Sequence, residues 1–216
     1  MSWGRRLAAA SWLAVAACTP DPPPATPVRA APPGAAAGPP ASGLDTGVWG
    51  EFRSKRFDLA LSLPDGAGWR IDDHSGPWLE ASHPGSSSKL LVRTWHEPDP
   101  VNRTRCEERA RSWAKLPQRE GADILRKERL DVPAEFDIIV EIGVVPPKAG
   151  AALDAFAMAF GGNVRRCFAY VYTTSATGPD AEQLVGGRLA VMVDGSLGKV
   201  RLESELTPRI PREAPP

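Results

Sequence analysis

The side chains able to do chemistry are few and scattered. The chain has three histidines, His74, His83 and His96, and none has the H-E-x-x-H spacing of a zinc hydrolase. His74 follows Asp72-Asp73, and His96 precedes Glu97. A site for hydrolysis of polymer or lipid would draw on Asp72, His74 and His83, a set that offers a base and a carboxylate. Solvated turn residues are the alternative. Ser86-Ser87-Ser88 has no G-x-S-x-G frame and reads as a flexible loop. Glu107 and Glu108 are neighbours on a helix, about 100° apart, and form no dyad by spacing. There is no P-loop and no G-x-G-x-x-G. Cys106 and Cys167 have no second Cys or His two to four residues away, which argues against a metal. The sequence therefore assigns no catalytic residue, no metal and no cofactor.

The third cysteine, Cys18, sits in a different context. Residues 1–18 read MSWGRRLAAASWLAVAAC. Arg5 and Arg6 precede an uncharged, mostly apolar run from Leu7 to Ala17. Eleven residues are too few to span a bilayer, which takes about 20, and suit a secretory signal. Val15-Ala16-Ala17-Cys18 resembles the lipobox of bacterial lipoproteins. The resemblance implies cleavage before Cys18, a signal peptide over 1–17 and diacylation of the Cys18 sulfur. Thr19 rather than Asp follows the cysteine, which by the same resemblance implies an outer-membrane address facing the periplasm. The alternative is an ordinary signal cut at Ala-x-Ala, leaving a free thiol.

Composition then divides the chain. Of 216 residues 23 are proline, and 13 of these fall in 19–44 and 207–216. Proline removes backbone donors and fixes φ, so a Pro/Ala-rich tether over 18–44 and a frayed tail over 207–216 are expected. The tether would reach about 30 Å as a coil. The whole chain is neutral, with 26 basic and 26 acidic residues, whereas 45–206 carries 21 and 24, a net charge of −3. No basic surplus marks a nucleic-acid binder.

Residues 45–206 read as one α+β domain. Phe57–Leu63 alternates with strand period, and Pro64-Asp65-Gly66 turns the chain. Short strands are expected at 68–72 and 77–82, then Lys89–Trp95. Asp99-Pro100 predicts a helix start, with an apolar stripe of Cys106, Ala110, Trp113 and Ala114 and a stop at Pro117. Strands follow at 123–132, 135–145, 151–160 and 165–174, with a hairpin at Gly161-Gly162-Asn163. The last strand carries bulk on both faces and should be central. A final helix is predicted over 180–195, with Leu184, Val185, Leu189, Met192 and Val193 on one face and a bend at Gly186-Gly187. Trp49, Trp69, Trp78, Trp95 and Trp113 are expected in the core, an exposed one marking a partner surface.

Strands, helix, strands, helix implies an antiparallel sheet with its helices on one side. This order resembles the Mog1/PsbP-like fold, an antiparallel β-sheet flanked by two main helices, whose members mostly bind proteins. The resemblance is architectural and transfers no functional residue. With Cys18 lipidated, an even pair remains in an oxidising compartment, so a Cys106–Cys167 disulfide is expected; two separate buried thiols are the alternative. The expected protein is a lipoprotein held on the bilayer by acylated Cys18, with a non-enzymatic domain that binds an envelope protein. An envelope enzyme and a small-ligand carrier, with a pocket between sheet and helix, are the rivals.

Overall fold

A computed structural model describes residues 43–132, 134, 136–147 and 151–206. Cys18, the segment 1–17 expected to be a signal peptide, most of the expected tether and the tail lie outside the described residues. Leu44, placed in the tether by composition, is 3% exposed and belongs to the core.

Among the described residues, nine strands form two antiparallel sheets. β1 (Trp49–Ser54) and β2 (Leu59–Pro64) make a separate hairpin. β3 (Arg70–Asp72), β4 (Leu79–His83), β5 (Ser88–His96), β6 (Asp123–Asp131), β7 (Asp137–Val145), β8 (Leu153–Asn163) and β9 (Arg166–Ala176) make a seven-stranded sheet in the order β3-β4-β5-β9-β8-β7-β6. The alternating residues of β9 explain its central place. Phe168, Tyr170 and Tyr172 enter one core, and Cys167, Ala169 and Val171 enter another.

The helices cover opposite faces, which corrects the expectation of one side. α1 (Arg103–Trp113) buries Cys106 and Ala110 against Phe156, Met158, Phe160 and the Cys167 face of β9. α2 (Ala181–Ala190) buries Val185 and Leu189 against the Tyr170 face, together with β2. Element order specifies how many helices a sheet has, and only the chain's path past the sheet edge decides which face each one covers.

Local chemistry explains the shifted boundaries. Phe57 and Asp58 belong to the β1–β2 turn, with Asp58 at φ 50°, not to a strand. The N-cap of α1 is Asn102, whose side chain accepts from Arg105 N at 2.9 Å. Asp99-Pro100 lies upstream, and Val101 N donates to Val164 O instead of entering the helix. The β8–β9 turn is Val164-Arg165, since Gly161, Gly162 and Asn163 pair with Phe168, Cys167 and Arg166. The second helix continues unbroken through Gly186-Gly187. Its pitch changes later, at a π-helical turn, Val191–Ser196. There Gly195 lies under Trp49, and a Cβ would come within 2.2 Å of the indole.

Candidate functional site

Cys106 and Cys167 are bonded, as the sequence leads one to expect, with Cα atoms 5.5 Å apart and both residues fully buried. The bond joins α1 to β9. Beside it runs a chain of ion pairs. Arg119 donates to both oxygens of Glu107 (2.6 and 2.9 Å) and to Glu141, which Lys127 also meets at 2.6 Å. Arg111 holds Glu107 from within α1 at 2.9 Å. Burial pushes the Glu107 and Glu141 carboxyls up, but these cations outweigh it and hold both below the usual carboxylate range. A cleft of 230 Å³ lies over this cluster, lined by Glu107, Arg119, Lys127, Glu141 and Met158 among others. It lies between α1 and the sheet, where a carrier would need its pocket.

Asp72, His74 and His83 do not converge. Asp72 accepts from the amides of His74 (2.9 Å) and Ser75 (3.0 Å), which draws its carboxyl down to about 2. It is a turn-former in the sense of an Asx turn. His74 is exposed and meets Asp73 at 2.9 Å. His83 ends β4, three positions from Glu80, the partner of Asp72 in the β3–β4 ladder. His96 is exposed and accepts from Arg166 at 3.4 Å. Among the described residues, no group of three His, Cys, Asp or Glu is placed to hold a metal ion.

His83 belongs to a buried polar chain that the sequence did not reveal. Its Nδ1 accepts from Ser86 N at 3.1 Å, and an amide can only donate, so the proton sits on Nε2 and goes to Asp65 Oδ2 at 2.9 Å. Ser86 Oγ lies 2.8 Å from Nδ1 and 2.8 Å from Ser88 Oγ. Ser88 Oγ in turn meets Tyr172 OH (2.8 Å) and Thr174 Oγ1 (3.0 Å). Arg188 closes the chain, donating to Thr174 Oγ1 at 3.1 Å and Ser175 O at 2.8 Å. Asp65, His83 and Ser86 have the composition of a hydrolase triad. The wiring is reversed, with the carboxylate on Nε2 and the serine on Nδ1, and Ser86 is 1% exposed. A substrate carbonyl has no approach to a hydroxyl sealed in this way. Burial raises the Tyr172 phenol, which keeps it a neutral hydrogen-bonding group. The serine run is thus a strap, not a flexible loop. The only hint in the sequence is the HPGSSS composition, which favours a tight turn.

The tryptophans split. Trp69, Trp78 and Trp95 are buried, Trp113 is half-buried, and Trp49 is exposed at 38%. Trp113 makes edge contacts with Trp95 and Trp78, at centroid distances of 5.0 and 6.4 Å. Trp49 carries Lys199 over its ring at 5.3 Å.

No protein-family model matches the chain, and no curated protein matches it. Among solved structures, a crystal structure from Bacteroides thetaiotaomicron is similar at 8% identity and a TM-score of 0.40, over 73% of this chain and 49% of that one. The chain spans about half the length of that structure.

Proposed function

We propose that the protein is a lipid-anchored envelope lipoprotein whose domain binds another envelope protein without catalysis. The observation that carries this reading is the division of the cysteines. Cys18 lies in the lipobox-like Val15-Ala16-Ala17-Cys18, and the remaining two are bridged inside the fold. Such a bridge persists in an oxidising compartment, which supports export past the cytoplasm. The Mog1/PsbP-like fold is the finer architectural reading, supported by an antiparallel sheet with a helix on each face. Thr19 supports the outer membrane, facing the periplasm. The partners are then the bilayer, through acylated Cys18, and an envelope protein.

The separation of Asp72, His74 and His83, and the burial of His83 and Ser86 in structural hydrogen bonds, support a domain that binds over one that hydrolyses. Envelope fractionation tests the address: the wild-type chain should sediment with outer membranes and Cys18→Ser should not. In-cell photocrosslinking from domain surface positions tests the role. A discrete crosslinked envelope protein is expected. Loss of a phenotype in Asp72→Asn/His74→Ala, with folding intact, would favour the enzyme instead.

A further inference from the structure

At the open end of β5 three arginines meet two aromatic rings. β4 stops pairing at Leu79–Val92, so Arg93–His96 has β9 on one side only. The β1–β2 turn fills the other side, where Thr94 Oγ1 donates to Phe57 O. The Arg93 guanidinium lies 3.8 Å over the Trp113 ring and 5.9 Å from that of Phe57. Arg56 lies 4.8 Å over Phe57, and Arg109 lies 5.6 Å over Trp113.

The charges in this cluster do not balance. Arg109 reaches Glu97 at 3.5 Å, but Glu97 also serves Arg105 (3.8 Å) and Trp95 Nε1 (2.9 Å). Arg56 donates to the carbonyls of Asp73 and Gly76, and Arg93 to that of Pro77. Among the described residues neither meets a carboxylate. Arg93 Nε is buried with no hydrogen-bond partner. Burial, then the charges of Arg56 and Arg109, hold the Arg93 pKa below its usual value. A partly desolvated cation beside two more is costly unless an anion joins them.

We propose that Arg56, Arg93 and Arg109, held on Phe57 and Trp113, form a binding site for a phosphate-type oxyanion. The rings take up the guanidinium faces, and the N–H groups of Arg56 and Arg93 not already given to the carbonyls of Asp73, Gly76 and Pro77 remain as charge-assisted donors of the kind that phosphate oxygens accept. A phosphate monoester carries about −1.5 to −2 at neutral pH, which matches the two cations without carboxylate partners. A depression of 340 Å³ that shares Arg109, lined also by Glu97, Arg105, Glu108 and Ser112, has room for the group bearing the phosphate.

The test uses the chain from residue 18 onward with Cys18→Ser, so that neither the apolar leader nor an acyl anchor contributes. Tryptophan fluorescence is followed during titration with inorganic phosphate and pyrophosphate. Co-sedimentation is measured with phosphatidylcholine vesicles with and without phosphatidylglycerol. Saturable binding in either arm is expected, weakened about tenfold or more by Arg93→Met and by Arg56→Gln, as the loss of a charge-assisted hydrogen bond requires. A response to pyrophosphate but not to vesicles assigns the site to a soluble phosphate compound. Capture by phosphatidylglycerol vesicles alone assigns it to a lipid headgroup. Arg56 is exposed, so Arg56→Gln remains informative if Arg93→Met fails to fold. No binding in either arm, or binding unchanged in Arg56→Gln, overturns the proposal.

Discussion

Cys106 of α1 and Cys167 of β9 are covalently joined, with Cα atoms 5.5 Å apart. α1 needs this bond more than α2 would, because Cys106 and Ala110 are its only fully buried side chains. Four of its eleven residues are arginine, so little apolar area binds the helix to the sheet. A link closing 61 residues contributes about 4 kcal/mol on the chain-entropy model. Cys106→Ala/Cys167→Ala should therefore lower the unfolding free energy by about 4 kcal/mol. Denaturant titration checks it. Amide exchange should rise first in α1, and equal stability with and without the bond would contradict the assignment.

The strap around His83 should behave as one unit. A Cβ at Gly68 would meet His83 Nε2 at 2.2 Å, displacing the ring from Asp65. Gly68→Ala should thus destabilise, and its effect should shrink when combined with His83→Ala, since both break the same contact. Tyr172→Phe should cost only about 0.5–1.5 kcal/mol, the net worth of one hydrogen bond, because Ser88 keeps Ser86 and Thr174 as partners. Additive effects in the Gly68/His83 double-mutant cycle would show that the two residues are uncoupled.

Glu107 and Glu141 give the domain a specific acid sensitivity. Their folded pKa values are depressed, so the stability they contribute is fully present above the unfolded carboxylate pKa of about 4.3. It is lost as the pH falls through the lower folded values. Arg119→Met removes the shared partner and should flatten the stability profile below about pH 4.5. Thermal melts of wild type and variant across that range decide it.

Val164 turns the β8–β9 hairpin at φ 54°, a conformation that β-branched residues disfavour, and its side chain is 72% exposed. Val164→Asn should relieve this strain and raise stability by about 1 kcal/mol, read by denaturant unfolding. A loss of stability would mean that the apolar side chain is held by a contact.

Local patterns carried the strands well. Lys89–Trp95, the four later strands and the α2 stripe lie close to where periodicity places them. β1 was not legible, because WGEFRS has a mixed polar sequence and is held as a strand by its ladder to β2. Gly195 in the π-helical turn packs under Trp49, some 140 residues earlier, and no local rule predicts that contact. The same distance hid the polar chain and the arginine cluster. Ser88 finds Tyr172 84 residues away, while Arg93 meets rings at 57 and 113. The cysteine pair was legible because oxidation chemistry and residue count left it few alternatives.

The central claim, an acylated Cys18 at the head of a bridged domain, is tested most directly by intact mass spectrometry of the protein from its native envelope. The account predicts a chain beginning at Cys18 and carrying a thioether-linked diacylglyceryl group, with Cys106 and Cys167 two hydrogens short of free thiols. A chain beginning elsewhere, or a mature protein with an unmodified Cys18 thiol, would contradict it.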